Sequence, residues 1–258
     1  MRLMKRILSA AAVLALSASL LVGCSSGTAS SVPVSASSAA ESTVSSVEET
    51  ASSAVDENEA AAAQLLNDLT GSYQELWPVI LADEYKQTWL DDCTALVGED
   101  NAEAAFKKLS SMVTGDVYGE DAVKAYANGG GAYFCGFTNS LATLTFDGET
   151  STISGTDKDG NGLFSHTYHY IGMEPVHGLY EFESDDADSG EFTYFFLAPD
   201  TSAKTYHIEF RYGSDADALS QYDAGDYAYW VASGISTDCD QTMIDNCIEL
   251  FCTENLAG

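Results

Sequence analysis

The sequence has 258 residues, in which 10 lysines and arginines stand against 40 aspartates and glutamates, so the formal net charge is −30. Nucleic acids and anionic membrane surfaces repel so negative a chain, which argues against either as a partner. With 45% apolar residues the chain has enough material for a globular core, which excludes disorder throughout.

Residues 1–23 are predicted to be a bacterial secretion signal. Arg2, Lys5 and Arg6 make its start positive, and an apolar stretch rich in Ala and Leu covers residues 7–21. The signal holds three of the ten basic residues and no acidic one. Its removal would leave seven basic against 40 acidic residues, a net charge of −33.

Residues 21–24, Leu-Val-Gly-Cys, resemble a lipobox, in which the cysteine receives acyl chains such as palmitate and becomes the new N-terminus. The prediction is therefore an exported lipoprotein with its lipid on Cys24. It would be anchored to the outer face of the bacterial cytoplasmic membrane, at the cell surface or in the periplasm. The alternative is an ordinary signal peptide followed by an incidental Cys24.

Residues 24–56 consist almost entirely of Ser, Ala, Thr, Val and Glu. They cannot bury enough apolar surface to offset the entropy of ordering, so they are predicted to be a disordered linker. The folded domain is then predicted over residues 57–258, with a helical part at 57–130 and a barrel at 131–258.

The helical part has Ala-rich and Leu-rich segments with apolar residues at helical spacing, and Asn101 is placed to cap one of them. Helices are predicted over residues 59–69, 82–97, 102–112 and 120–127, and a further, C-terminal helix over residues 241–251.

After three consecutive glycines at 129–131 the pattern changes to short alternating segments separated by turn residues. Strands are predicted over residues 132–138, 141–146, 151–155, 163–172, 179–183, 192–197 and 205–212. Regularly spaced strands of this kind predict an α+β fold with an antiparallel meander or small barrel.

Several segments resemble the ZinT (YodA) family of zinc-binding proteins, which also occurs as the C-terminal domain of some zinc-transporter lipoproteins. Residues 71–80, GSYQELWPVI, match the spacing of the opening signature of the family, with Tyr for Trp. Residues 168–172, YHYIG, resemble its Tyr-x-Tyr-x-Gly run. Residues 197–199, LAP, and 206–208, YHI, resemble its Ile-Ala-Pro and Phe-His-Ile. The resemblance covers roughly residues 69–230.

This resemblance implies a lipocalin-like (calycin) barrel with flanking helices and a role in zinc capture outside the cytoplasmic membrane. It also implies a site of three histidines from two adjacent strands, a ligand set that suits zinc and leaves one coordination position open. Only His207 matches, because the other two positions correspond to Phe195 and Thr205. One imidazole is not a site, so other groups would have to bind the metal.

The other histidines are the first candidates for these missing ligands. His166, His169 and His177 lie with His207 between positions 166 and 207, in the predicted barrel, and this clustering indicates a shared site. On an extended strand, however, His166 and His169 point to opposite faces unless a bulge intervenes.

Glu209 is the carboxylate nearest to His207 by strand pattern, because both residues belong to one face of the predicted strand. Arg211 lies on that face as well. Glu209 is thus either a metal ligand beside His207 or the partner of Arg211 in a simple ion pair.

Residues 157–162, DKDGNG, fit the first half of a calcium-binding loop. Tyr168 stands where that loop needs a bidentate Glu, and the flanks have strand patterns, which favours a polar hairpin turn.

Beyond Cys24 the chain has five cysteines, none in a Cys-x-x-Cys pair, which argues against a thiolate zinc ribbon. Export permits disulfides, although an odd number leaves at least one cysteine out. The predicted bridge, if one forms, joins Cys239 to Cys247 or Cys252.

The sequence has no Gly-x-Ser-x-Gly, phosphate-binding loop or His-Glu-x-x-His, so it is not predicted to be an enzyme. The predicted function is capture of a divalent metal, zinc first, and delivery to a membrane importer such as a zinc ABC importer. The alternative is a lipocalin-like small-molecule binding module that has lost the metal site, with Phe195 as part of an aromatic wall.

Overall fold

The structure is a computed structural model that describes residues 57–114, 133–198 and 207–256. The predicted secretion signal, Cys24, the linker and the helix predicted over 120–127 lie outside these residues. Within the described ranges, no helix has the length and apolar character needed to cross a membrane.

Eight antiparallel strands form a closed barrel in which each strand pairs with its neighbours in chain order and β1 closes against β8. This confirms the predicted α+β class with a lipocalin-like antiparallel barrel. The strands are β1 Gly71–Glu75, β2 Thr143–Asp147, β3 Thr152–Thr156, β4 Gly162–Met173, β5 Tyr180–Ser184, β6 Tyr194–Leu197, β7 His207–Gly213 and β8 Ala232–Ser236.

Helices lie outside the barrel. They are α1 over residues 57–68, α2 Leu76–Ile80, α3 Lys86–Val97, α4 Glu99–Thr114, α5 Ala216–Leu219 and α6 Gln241–Leu256. Helices α2, α3, α4 and α6 form one apolar cluster with Ile235 of β8, whereas α1 packs on the barrel core. Helix α6 buries Ile244, Ile248 and Phe251 among others, at the spacing of a single helical face.

The structure corrects the division into a helical part at 57–130 and a barrel at 131–258. Strand β1 lies inside the first range, yet it completes the barrel by pairing with both β2 and β8. Only Tyr73 is buried among the five residues of β1, so this segment shows too little alternation between buried and exposed residues to predict a strand. Partners about 70 and 160 residues away along the chain decide its conformation.

Two local predictions also differ from the structure. Residues 132–138 are predicted to form a strand, but their described part forms no regular strand: it makes one parallel bridge, Phe134 with Trp230, and its Cys135 carbonyl accepts from the Ser233 N–H of β8 at 3.0 Å. Helix α4 begins at Glu99, so Asn101 lies inside it, where its side-chain amide donates to the Val97 carbonyl at 3.1 Å. The acidic residues at the start of this helix favour the earlier beginning through the helix dipole.

Aromatic rings fill the interior of the barrel. Phe195 is fully buried, and its ring centroid lies 5.4 Å from those of both Tyr168 and Tyr212. Phe164 stacks on Phe192 with 3.9 Å between centroids. Rings at these separations make favourable contacts beyond their buried area, so the interior is a packed core that supports the loops and the outer faces.

Candidate functional site

His207, Glu209 and Arg211 share the outer face of β7, as the strand pattern predicts. The intervening residues Ile208 and Phe210 point into the barrel core. The outer face is nevertheless buried along its whole length, because helices and loops cover it. Thr205, the other position on this face, lies outside the described residues.

His207 packs beneath helices α2 and α6 and is only 7% exposed. It borders a small gap of about 20 Å³ whose other lining residues are mostly apolar: Leu76, Trp77, Ile80, Cys247, Leu250 and Phe251. In the parts of the chain that the structure describes, no three His, Cys, Asp or Glu side chains converge on one point. The described side of His207 is therefore a mainly apolar contact between the barrel and two helices.

Glu209 lies next to His207 on the same face, opposite Ser233 of β8. Its charge reaches Cys135, since burial and then the Glu209 carboxylate raise the pKa of that thiol to about 12. Without a metal ion, this thiol is therefore protonated at neutral pH.

The register of β6 with β7 separates the two described positions that the ZinT resemblance matched to zinc ligands. Phe195 pairs with Tyr212 and faces the barrel interior. His207 is five residues from Tyr212, which is roughly 16 Å along a strand, and it faces outward. Phe195 and His207 therefore do not point at a common ion.

His166 and His169 lie on opposite faces of β4, as predicted, and each is joined to an aspartate. His166 Nδ1 lies 2.8 Å from Asp186 Oδ2, and His169 Nδ1 lies 2.7 Å from Asp185 Oδ1. The side chain of His166 is 17% exposed and that of His169 is 52% exposed. Both pairs thus lie at the surface, at one end of the β4–β5 sheet.

The two aspartates belong to an acidic segment, residues 181–191, whose composition is typical of a solvated loop. They are therefore not predicted as site residues. They follow β5 directly, and the register of β5 with β4 places Ser184 opposite Tyr168. Asp185 and Asp186 consequently reach His169 and His166. Two consecutive aspartates point to opposite faces of an extended strand, as His166 and His169 do. This match identifies Asp185 and Asp186 as partners only once the register of β5 with β4 is known.

His177 lies apart from the other histidines, in the connection between β4 and β5. Its backbone N–H and that of Val176 donate to the buried carboxylate of Glu174, at 2.6 and 2.8 Å. Burial raises the pKa of this carboxyl, but the His177 ring and these N–H groups lower it by more, so the pKa lies below its usual value. The imidazole packs on Tyr222, with ring centroids 3.8 Å apart, as part of a structural cluster.

Arg211 is fully buried and holds the connection between β7 and β8 in place. Its guanidinium donates to the backbone carbonyls of Leu219, Gln221 and Tyr227 and lies over the ring of Tyr222 at 4.2 Å. Burial lowers its pKa from the usual value, and the carbonyls and the ring offset part of the cost of burying the cation. Through these contacts Arg211 stabilises the connection between β7 and β8, a role that the sequence pattern does not indicate.

Residues 157–162 form the hairpin turn between β3 and β4, as predicted. The Asp157 side chain accepts from the backbone N–H groups of Asp159 and Asn161, at 2.9 and 2.8 Å. Hydrogen bonds from Asn161 lower the pKa of Asp157. The carboxylate that would be the first calcium ligand thus caps its own turn.

An open cleft of about 560 Å³ lies where β7 ends. It combines aromatic side chains with carboxylates, and its walls include Phe134, Tyr227, Trp230, Glu191, Asp215 and Asp226. The Glu191 carboxylate is fixed by the hydroxyls of Ser214 and Tyr227, at 3.1 and 3.0 Å. Such a lining suits a small organic cation better than a bare metal ion.

No protein family and no curated protein matches the sequence. Among solved structures, the Zn(II)-bound ZinT-like domain of Streptococcus pneumoniae AdcA is similar, at 15% identity and a TM-score of 0.44, covering 70% of this chain and 87% of that domain. Zn(II)-bound AdcA from the same organism is similar at 16% identity and a TM-score of 0.41, again over 70% of this chain. This chain spans 34% of the length of that AdcA.

Proposed function

We propose that this protein is an exported, lipid-tethered binding protein that captures a divalent metal, zinc first, and passes it to a membrane importer. The observation that carries the proposal is the pair of histidine–aspartate contacts at the end of the β4–β5 sheet. The ZinT motifs in the sequence and the charge of −33 predicted after removal of the signal support the same function.

The aspartates set the chemical form of the imidazoles. A carboxylate at Nδ1 holds the ring hydrogen on that nitrogen, which leaves Nε2 with a free electron pair. Zinc-binding histidines commonly have this arrangement, in which a carboxylate fixes the tautomer and raises the basicity of the ligand nitrogen. His166 and His169 thus present two imidazoles that are oriented before any ion arrives.

The arrangement favours a labile site over a permanent one. His166 and His169 point to opposite faces of the strand, so each ion would meet one imidazole and complete its coordination with water. A structural zinc site uses four protein ligands, whereas a carrier must release its cargo to the next protein. The strongly negative surface would raise the local concentration of cations around both histidines.

Calorimetric titration of the full chain with Zn²⁺ tests this proposal. Replacing both histidines, His166→Ala together with His169→Ala, is expected to weaken zinc binding at least tenfold, because both Nε2 ligand atoms are lost. The milder pair Asp185→Asn and Asp186→Asn should weaken binding by less than the histidine pair, about tenfold at most, since the ligands remain and only their orientation is lost.

His207→Ala is the matched comparison, and it should leave zinc affinity within about twofold because the proposed ligands are His166 and His169. No zinc binding by the wild-type chain would refute the proposed function. Binding that survives the double histidine variant and disappears in His207→Ala would instead place the site where the ZinT motifs put it.

A second candidate function is binding of a small organic cation, and the cleft at the end of β7 favours it. Phe134 is 44% exposed there, beside the carboxylates of Asp215 and Asp226. Titration with choline is expected to change tryptophan fluorescence in a saturable way, because Trp230 lines this cleft. Asp226→Asn should weaken that response, and Asp159→Asn on the β3–β4 turn is the control. A response absent in the wild type would eliminate this candidate.

A further inference from the structure

Two cysteines that are far apart in the chain face each other between helices α3 and α6. Cys93 and Cys252 are separated by 159 positions, yet their sulfur atoms lie 4.0 Å apart. Both side chains are fully buried in the cluster that joins these helices to the barrel. This pairing differs from the sequence prediction, which joined Cys239 to Cys247 or to Cys252.

The helices hold the two sulfurs in register. Trp89 lies one turn before Cys93 on α3, and Phe251 directly precedes Cys252 on α6. Their rings meet edge to face at 6.0 Å between centroids. The Trp89 indole also donates to the Ile80 carbonyl at 2.7 Å, which ties α3 to α2. A rigid, apolar contact of this kind leaves the two thiols few partners besides each other.

The remaining described cysteines have other surroundings. Cys135 lies near Ser233 and the Glu209 carboxylate, and Cys247 lines the gap beside His207. Cys239 is half-buried just before α6. The contact between Cys93 and Cys252 is therefore the best-formed thiol pair in the described residues.

We propose that Cys93 and Cys252 are a site of oxidative modification, at which a disulfide joins α3 to α6 once the chain is outside the cytoplasmic membrane. The proposal depends on export, and it is independent of metal binding. A disulfide needs about 2 Å between sulfurs, so side-chain rotation with a small approach of the helices has to close the remaining gap of about 2 Å.

The oxidant is a disulfide, either of a thiol–disulfide exchange protein or of a small thiol. The Cys93 thiolate attacks one sulfur of that disulfide and forms a mixed disulfide, while the other sulfur leaves as a thiolate. The Cys252 thiolate then attacks the Cys93 sulfur and releases the second sulfur of the oxidant. The two cysteines lose two protons and two electrons, and the oxidant becomes two thiols.

Between the docked helices the two thiols differ in acidity. A hydrogen bond from Cys252 lowers the pKa of Cys93, and the same contact raises the pKa of Cys252. Because both thiols are buried in the folded protein, exchange takes place while α6 is still docking. The bridge would connect the C-terminal helix across strands β2 to β8 and restrict the unfolded chain over a long loop.

The test uses the full chain secreted from a bacterial host and alkylated under denaturing, non-reducing conditions. Peptide mass spectrometry is expected to find Cys93 linked to Cys252, with Cys135, Cys239 and Cys247 alkylated. Reduction should lower the Tm by roughly 10 °C, given the length of the closed loop. Cys93→Ser with Cys252→Ser should start at the lower Tm and show no further change on reduction.

Cys135→Ser is the matched control, because it removes a buried cysteine from outside the pair and should keep the reduction-sensitive shift. Alkylation of both Cys93 and Cys252 in the secreted protein would overturn the proposal. A link from Cys239 to Cys252 would overturn it as well, and would support one of the two pairings expected from the sequence.

Discussion

Replacing Arg211 by Met is expected to lower the free energy of unfolding by about 3–5 kcal/mol. Met keeps much of the volume but removes the donors that satisfy the carbonyls of Leu219, Gln221 and Tyr227. Carbonyls left buried without donors carry their desolvation cost in full. The Glu174 carboxylate, fully buried and close enough to interact with Arg211, would lose a compensating charge.

Urea denaturation followed by tryptophan fluorescence measures this change. Arg211→Lys is the control, because it keeps the charge but not the planar fork that reaches several carbonyls at once. It should lose less stability than the Met variant. A Met variant within about 1 kcal/mol of wild type would show that other groups hold the connection between β7 and β8.

Phe195→Ala is expected to destabilise the protein by about 3–5 kcal/mol, because it opens a cavity in the aromatic interior of the barrel. Phe195 is fully buried, and the ring centroids of Phe164, Phe210 and Tyr212 all lie within 6.3 Å of its own. Rings that pack at such distances cannot collapse into the space without moving whole strands.

The same urea titration tests this effect, with Phe195→Leu as the control that keeps most of the volume and should cost less than about 1.5 kcal/mol. Equal losses in both variants would indicate that ring contacts, rather than volume, stabilise the interior. Phe195→His restores the residue type of the ZinT motif. It is expected to bring no gain in zinc affinity, because His207 faces the other side of the sheet.

These two effects concern the scaffold, and the proposed metal site lies elsewhere. The barrel interior is occupied by rings, whereas the candidate ligands His166 and His169 lie at the surface with their aspartates. Variants of the two histidine–aspartate pairs should therefore alter zinc binding with little effect on stability, since surface pairs contribute little to folding. Variants of the interior should have the opposite profile.

Features that depend on neighbouring residues in the chain were determined by the sequence itself. The alternation along β4 assigns His166 and His169 to opposite faces, and the turn chemistry of Asp157 predicts the β3–β4 hairpin. The apolar spacing predicts α6, and the series of strands predicts an antiparallel barrel. Each of these rests on the period of a strand or helix, or on a side chain bonding to nearby backbone.

Features that depend on pairing between distant segments were decided only by the tertiary structure. Strand β1 belongs to the barrel because β2 and β8 pair with it. Register decides that Phe195 faces Tyr212, and that Asp185 and Asp186 reach the two histidines. The approach of Cys93 to Cys252 likewise depends on how two helices dock. Side-chain periodicity identifies the face of an element, but contacts formed across the folded chain select its partner.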